Sequence, residues 1–99
     1  MNCNFNDQQL QKKFKHAREF GITGPFNPTN ALAFKHAIIN HLNDANTKRI
    51  IGTHRGESVE HFFNSITKLN VMCKDYQFWS AWRLSPKQES HLLTDGNVI

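Results

Sequence analysis

Apolar side chains recur at helical spacing near the start of the chain. Leu10, Phe14 and Ala17 fall on one face of a helix with about 3.6 residues per turn. Asn6 is a typical N-cap residue, and Gly21 is typical of the position just after a helix end. The pattern therefore predicts a first helix between these two residues.

Two further helices are predicted from pattern and caps. The second spans about 31–42, where apolar residues are dense enough to bury the helix against a sheet. It follows a loop, 23–30, that combines Gly and Pro with polar cap-forming residues. The third begins at Ser85, whose capping-box partner is Gln88, and runs to about Leu93.

Between the second and third helices the hydrophobic pattern changes to that of strands. Four segments are rich in β-branched and aromatic residues: TKRIIGTHR, ESVEHFFN, KLNVMCK and YQFWSAWR. Their connections are too short for parallel crossovers, so antiparallel pairing is favoured. The sequence thus predicts one α+β domain over residues 1–99, with N-terminal helices packed on a twisted antiparallel sheet of about four strands and a short C-terminal helix. Residues 97–99 are predicted to be a tail.

The fourth predicted strand combines a hydroxyl group with indole rings. Alternation places Phe78, Ser80 and Trp82 on one face, while Trp79 and Ala81 face the other way. A hydroxyl beside an indole can hydrogen-bond a phosphate and stack on a base. The alternative is that both Trp residues belong to the core, which is their commoner use in a small domain.

Composition narrows the class of protein. A chain of 99 residues with eight Phe, two Trp and one Tyr can bury one core and is too aromatic for a disordered tail. No apolar run approaches the roughly 20 residues of a transmembrane helix. Residues 1–20 also lack the continuous apolar stretch of a secretory signal.

The cysteines and histidines show no metal-ligand spacing. Cys3 and Cys73 are the only thiols, and we expect them to be core or near-core filler in a protein that works in a reducing compartment. His36 and His41 are five residues apart, which splits them across a helix. The default is therefore a mechanism that needs no metal ion and no other cofactor.

Charge points to an anionic partner. Twelve Lys and Arg against eight Asp and Glu give a net charge of +4 and a pI of about 9.3. On the first helix, Lys13, His16 and Phe20 form one stripe with Lys12 at its edge, whereas Lys15 points about 100° away from His16. Lysines near an imidazole can hold a phosphate. The alternative is a solvated helix face on which His16 is simply exposed.

The motif GTHRG at 52–56 places glycine on both sides of a histidine and an arginine. Glycine permits a bulge or the close approach of another backbone. Arg55 could clamp a phosphate. Glycine beside a hairpin turn is also ordinary, so the motif by itself does not select a function.

Together these segments resemble the C-terminal nuclease domains of the colicin D family of bacterial toxins. The similarity rests on KFKHAREFGI at 13–22, GTHRG at 52–56, the S-x-W of Ser80 and Trp82, and the following WRLSPKQ at 82–88. Their order and approximate spacing match over residues 12–23 and 50–96. Each block alone is unspecific, but the combination is fairly specific.

The resemblance implies a metal-independent ribonuclease that cuts the anticodon loop of transfer RNA and so blocks translation in target bacteria. It implies that His16 is the catalytic histidine, that Lys13 and Lys15 are the helix lysines of the site, and that Ser80 and Trp82 are its strand residues. It also implies the helix-and-sheet fold that several bacterial toxin nucleases share.

The resemblance further implies a larger biological setting. An immunity protein is expected, and an acidic one would best cover a cationic site. We expect the chain to be the C-terminal part of a longer, exported delivery protein and to act in the cytoplasm of the target bacterium. A homo-oligomer is not expected.

Such a ribonuclease moves two protons. The ribose 2′-OH attacks the adjacent phosphorus and leaves a 2′,3′-cyclic phosphate and a 5′-OH, which requires a base, an acid and cations. His16 is predicted to be the acid or the base, while Lys12, Arg55 and His54 are predicted to bind RNA. The second proton carrier stays open between a lysine, His54 and water. His54 stands where the family pattern has a tyrosine, and it could add a titratable group or alter the accepted loop sequence.

Three other functions stay open at this point. The same basic and aromatic residues would suit a non-catalytic RNA-binding module. A nuclease of the same fold could act on ribosomal RNA, messenger RNA or DNA. The chain could also be a structural adaptor in which Trp79 and Trp82 are core.

Overall fold

Polar caps fix the helix bounds in the computed structural model, which describes residues 3–98. Helix α1 spans Asp7–Lys13, and the side chain of its N-cap, Asn6, accepts hydrogen bonds from two backbone N–H groups of the first turn. Helix α2 spans Pro28–Asn43 and α3 spans Pro86–Asp95. The predicted capping box of α3 between Ser85 and Gln88 is present. None of the helices in residues 3–98 is long and apolar enough to cross a membrane.

The first predicted helix changes its geometry halfway. After α1, residues Phe14–Phe20 form a 3-10 helix, which ends at Gly21 with a φ of 86°. The stop at Gly21 is therefore confirmed, but the regular α-helix up to it is not. In a 3-10 helix there are about three residues per turn, so side chains three positions apart are aligned.

Five strands form one sheet in the order β4-β3-β2-β1-β5. The strands are β1 Thr47–His54, β2 Glu57–Asn64, β3 Leu69–Lys74, β4 Gln77–Arg83 and β5 Asn97–Val98. The first four pair antiparallel, as predicted, whereas β5 pairs parallel with β1. The α+β class is thus confirmed. The tail prediction is wrong for Asn97 and Val98, and Ile99 lies outside the described residues.

The two faces of the sheet carry different side chains. The face that we call the helix side carries Phe62, Val71, Cys73, Phe78 and Ala81, which are buried together with residues of α1, α2 and the 3-10 helix. The opposite face, here called the site side, carries His54, His61, Asn70, Ser80 and Trp82, as the strand register places them. At its margin a second apolar cluster, which includes Leu92 of α3, packs against Trp82.

A bulge in β4 changes the predicted alternation. Ser80 pairs with Met72 and Phe78 pairs with Cys73, which leaves Trp79 as the extra residue. Phe78 therefore lies on the helix side, and the prediction that it shares a face with Ser80 and Trp82 is wrong. Ser80 and Trp82 do share a face, because the bulge lies before them.

A disulfide joins Cys3 to Cys73, so the expectation of two thiols in a reduced protein is wrong. The chain segment around Cys3 lies along the edge strand β4, where Asn4 exchanges backbone hydrogen bonds with Tyr76 and Phe78 at 2.7 Å. The bond closes a loop with a sequence separation of 70 residues. Pairing across such a distance leaves no local signal in the sequence.

Candidate active site

His16 packs against Trp82. The 3-10 helix is anchored by Ala17, which is buried, and it runs beside β4. The ring centroids of His16 and Trp82 lie 5.8 Å apart. Two residues from distant parts of the sequence are thereby brought together, as the sequence predicted, and both are partly exposed.

Glu19 orients the imidazole of His16 and was missed by the sequence analysis. The His16 Nδ1 lies 3.2 Å from the Glu19 Oε2, and the other carboxylate oxygen accepts a 2.9 Å hydrogen bond from the backbone N–H of Arg83. The 3-10 geometry aligns positions 16 and 19, which explains the contact. Their i,i+3 spacing was the available signal, but an acidic residue at that spacing is common on helix surfaces.

Trp82 is held from the side of α3. Its Nε1 donates a 3.2 Å hydrogen bond to the Oε1 of Gln88, the residue that also closes the capping box of α3. The start of α3 therefore fixes the indole, because one side chain binds both the helix cap and the ring. The sequence motif that joins Trp82 to Ser85 and Gln88 has this structural basis.

His54, at the end of β1, contacts the same indole. Its ring centroid lies 5.5 Å from that of Trp82. Its Nδ1 lies 2.7 Å from the carbonyl oxygen of Val98 in β5. Gly52 makes this arrangement possible, since a Cβ atom there would lie 1.9 Å from the carbonyl oxygen of Gly96. Gly52, the first glycine of the 52–56 motif, is thus required because the backbone of Gly96 lies so close to it.

Cationic residues flank the two histidines in the chain, with lysines before His16 and an arginine directly after His54. Burial lowers the pKa of Lys13, and the nearby charges of Lys15, Lys12 and Arg55 lower it further. Arg55 occupies the two-residue turn between β1 and β2 with a φ of 52°. Lys13 thus lies near the charges of the two other lysines and of the turn arginine, and all four residues are among those that the sequence predicted for the site.

Lys15 occupies a different side of the 3-10 helix from His16. It is exposed and lines a cleft with Arg18 and Gly24. Successive residues of a 3-10 helix are about 120° apart, so the altered geometry does not turn Lys15 towards His16. Its influence on the site is through charge, as its effect on the pKa of Lys13 indicates.

Ser80 lies beneath the site rather than at its surface. Its exposed fraction is 1%, and its hydroxyl has no hydrogen-bond partner within residues 3–98. The side-chain oxygen of Asn70, on the same face, also lacks a partner there. Asn70 donates through its amide nitrogen to the Nδ1 of His61, whose pKa is lowered mainly by burial. Two unpaired buried oxygens on one face are unusual and point to a polar function.

The arrangement can support proton transfer and bind an anion. Two imidazoles contact one indole, and a carboxylate orients one of them. The charges of three lysines and of Arg55, the residue after His54, lie near one another. Across residues 3–98, no group of three or more His, Cys, Asp or Glu side chains lies close enough to hold a metal ion.

Comparison with known proteins gives concordant matches. The sequence profile of the family described as Colicin D matches residues 9–92. The chain is 33% identical over 89 residues to Colicin-D from Escherichia coli. The aligned region covers 87% of this chain and 13% of that relative. A solved structure described as a ribonuclease from Escherichia coli complexed with its inhibitor protein superposes with a TM-score of 0.81 at 35% identity. That match covers 91% of this chain and 100% of the other.

Proposed function

Because the chain belongs to the colicin D family, we propose that it is the ribonuclease part of a toxin and cleaves transfer RNA in the anticodon loop without a metal ion. The observation that carries the proposal is the packing of His16 against Trp82, and the cationic group around Lys13 adds to it. An imidazole can transfer a proton and cations can stabilise the phosphoryl charge, while the indole can pack against the nucleotide. The solved neighbour, itself described as a ribonuclease, supports this activity.

The proposed reaction is an internal attack on phosphorus. The 2′-oxygen of the ribose forms a bond to phosphorus, the bond to the 5′-oxygen breaks, and the products are a 2′,3′-cyclic phosphate and a 5′-OH. His16 transfers one of the protons, and Glu19 positions its ring. Lys13 and Arg55 stabilise the charge that develops on the phosphoryl oxygens, and Lys15 contributes from a greater distance.

The remaining residues bind the substrate. Trp82 offers its indole to the nucleotide, and Lys12 and His54 bind the RNA near the cleaved bond. Ser80 donates a hydrogen bond to a phosphoryl oxygen when substrate enters, which would satisfy its unpaired hydroxyl. We propose transfer RNA as the substrate, and its anticodon loop as the place of cleavage, because the sequence motifs resemble those of the colicin D family.

The proposed partner is an immunity protein that covers the cationic site. The chain carries a net charge of +4, and an acidic surface would complement it. The solved neighbour was determined in complex with its inhibitor protein, which supports such a partner. This chain spans 13% of the length of Colicin-D, which supports a toxin that is exported as a larger protein. Action of the chain as a monomer in the target cytoplasm is part of the same proposal and rests on the family resemblance.

The test is cleavage of transfer RNA by the purified protein with a metal chelator present. We expect new 5′ ends in the anticodon loop, each bearing a 5′-OH, and full resistance of a substrate with a 2′-deoxyribose at the cut. Cuts spread over messenger or ribosomal RNA would contradict the proposed substrate. RNA that is bound but left intact at stoichiometric protein would instead identify a non-catalytic binding module.

A further inference from the structure

We propose that His54 is the second proton-transfer group of the site: its Nε2 takes the proton of the 2′-OH, and His16 protonates the departing 5′-oxygen. This inference rests on the proposed function and completes its chemistry. The O2′–P bond forms while the P–O5′ bond breaks. One proton passes from O2′ to His54 and another passes from His16 to O5′, so no further reactant is needed.

The first argument is the hydrogen bond that fixes the His54 ring. The carbonyl oxygen of Val98 can only accept, so the Nδ1 of His54, 2.7 Å away, must carry a hydrogen. In the neutral ring the lone pair is then on Nε2. That nitrogen forms no hydrogen bond within residues 3–98 and is free to accept a proton.

The second argument is the position of the two imidazoles. Both rings contact the same indole, with centroids 5.8 and 5.5 Å from that of Trp82. A ribose and its phosphate placed on Trp82 would therefore lie near both a histidine of the 3-10 helix and a histidine of β1. The base acts on O2′ and the acid on O5′, so two separate groups are needed, and these two side chains come from different elements of the fold.

The other buried histidines are already engaged in structural contacts. Both ring nitrogens of His61 have partners, the carbonyl oxygen of Thr53 and the side chain of Asn70. His41 is bonded to the carbonyl oxygen of Phe62. Within residues 3–98, His16 and His54 are the histidines whose rings contact Trp82.

The third argument assigns the two roles. The Nδ1 of His16 faces a carboxylate, Glu19, which stabilises an imidazolium ion and so favours the acid. The Nδ1 of His54 faces a neutral carbonyl, which fixes the tautomer that a base needs.

Three charged or titratable side chains lie around His54. Arg55 follows it in the turn, Glu57 pairs with it across the β1–β2 hairpin, and His61 lies on the adjacent strand. Glu57 is engaged by Lys74 at 2.8 Å. A pH–rate profile must therefore be compared between variants that leave these neighbours unchanged.

The first experiment measures single-turnover cleavage by His54→Gln and His54→Phe. The phenylalanine variant retains a ring against Trp82, and the glutamine variant retains a donor for Val98. We expect each to lose about 100-fold or more in rate and the ascending limb of the pH–rate profile, while affinity for a 2′-deoxy oligonucleotide changes only a few-fold. The control is His36→Gln, an exposed residue of α2, which should behave as the unmodified protein.

The second experiment separates base from acid. A substrate with sulfur in place of the 5′-oxygen has a leaving group that needs no proton. It should restore most of the rate of His16→Ala but little of the rate of His54→Gln. Restoration of both variants, or full activity of His54→Gln on ordinary RNA, would refute the assignment while leaving the ribonuclease activity established.

The third experiment uses the unmodified protein and so does not depend on a variant that folds. We expect the 15N resonance of the His54 Nε2 to shift when the 2′-deoxy oligonucleotide binds, because that atom would face the site of the missing hydroxyl. An unchanged resonance under saturating oligonucleotide would overturn the proposal. Failure of the unmodified protein to cleave any RNA would instead contradict the proposed function itself.

Discussion

The two faces of the sheet show how differently this small domain uses burial. On the helix side the buried residues are apolar and lie against residues of α1, α2 and the 3-10 helix. On the site side, three polar residues, His61, Asn70 and Ser80, are each at most 1% exposed, and two of their oxygens have no partner among residues 3–98. The same strands thus stabilise the fold on one face and keep polar groups available on the other.

This contrast shows that the burial of a residue does not by itself tell whether the residue belongs to the core or to the site. Phe78 and Ser80 belong to one strand and are equally buried, yet they face opposite sides because Trp79 forms a bulge. An unpaired buried hydroxyl costs about 1–3 kcal/mol. A protein keeps an unpaired buried group where that group has a function. Substitutions on the helix side should therefore change mainly stability, and substitutions on the site side should change mainly activity.

The largest expected effect is that of His16→Ala. Loss of an acid that contacts the reacting atoms should slow cleavage by about 10²–10⁴-fold, because that proton would then have to come from water. The midpoint of thermal unfolding should change little, since the His16 ring is partly exposed. Single-turnover kinetics and a thermal melt test both statements. An undiminished cleavage rate would end the assignment of His16.

Phe78→Ala should have the opposite effect. The ring is 1% exposed and stacks on Phe5 at 5.5 Å between centroids. Its removal should lower the free energy of unfolding by about 3–5 kcal/mol, because a cavity replaces the ring. Urea unfolding measures this loss. Under conditions in which the variant is still folded, its cleavage rate should stay within a few-fold of that of the unmodified protein. A large rate loss under those conditions would contradict the distinction between the two faces.

Opening the disulfide should weaken the helix side without affecting chemistry. Because the Cys3–Cys73 bond closes a long loop, Cys3→Ser should lower the free energy of unfolding by about 2–4 kcal/mol. A reducing agent should produce the same loss in the unmodified protein and none in the variant. Equal stability of the oxidised and reduced protein would contradict the prediction.

Ser80→Ala gives the sharpest test on the site side. We expect cleavage to slow about 10–100-fold, because a hydrogen bond to the phosphoryl group is lost. Stability should change by less than about 1 kcal/mol or rise, because the hydroxyl that is removed has no partner in residues 3–98. The matched control is Ala81→Gly, because Ala81 is the next residue, is equally buried and faces the helix side. This variant should lose stability instead. A strongly destabilised Ser80→Ala would show that the hydroxyl is structural.

The smallest expected effect is a dependence of stability on pH. Burial lowers the pKa of both His41 and His61, so the folded protein binds fewer protons than the unfolded chain. Stability should therefore be intact above the ordinary histidine pKa of about 6.5 and should fall as the pH drops through that value. Urea unfolding at several pH values measures the slope. His61→Gln should reduce it, and an unchanged slope would exclude His61 as a source.

The sequence predicted the fold class because its signals are local. Capping residues, a glycine stop and the change from helical to alternating hydrophobicity each act within a few positions. These local signals were enough to predict three helical regions and four antiparallel strands. Motif resemblance also selected His16, Lys13, Ser80 and Trp82, and the structure brings His16 and Trp82 into contact, whereas Ser80 is buried below. Their catalytic roles stay predictions.

The tertiary structure alone decided the features that join distant parts of the chain. The Cys3–Cys73 bond, the parallel β5, and the contact of Val98 with His54 all depend on which segments meet in the folded state. The 3-10 turn that aligns Glu19 with His16 likewise lies against β4, where the backbone N–H of Arg83 binds the Glu19 carboxylate. Local patterns carry no information about such long-range contacts, because their free energy is gained only when the whole sheet and its helices are assembled.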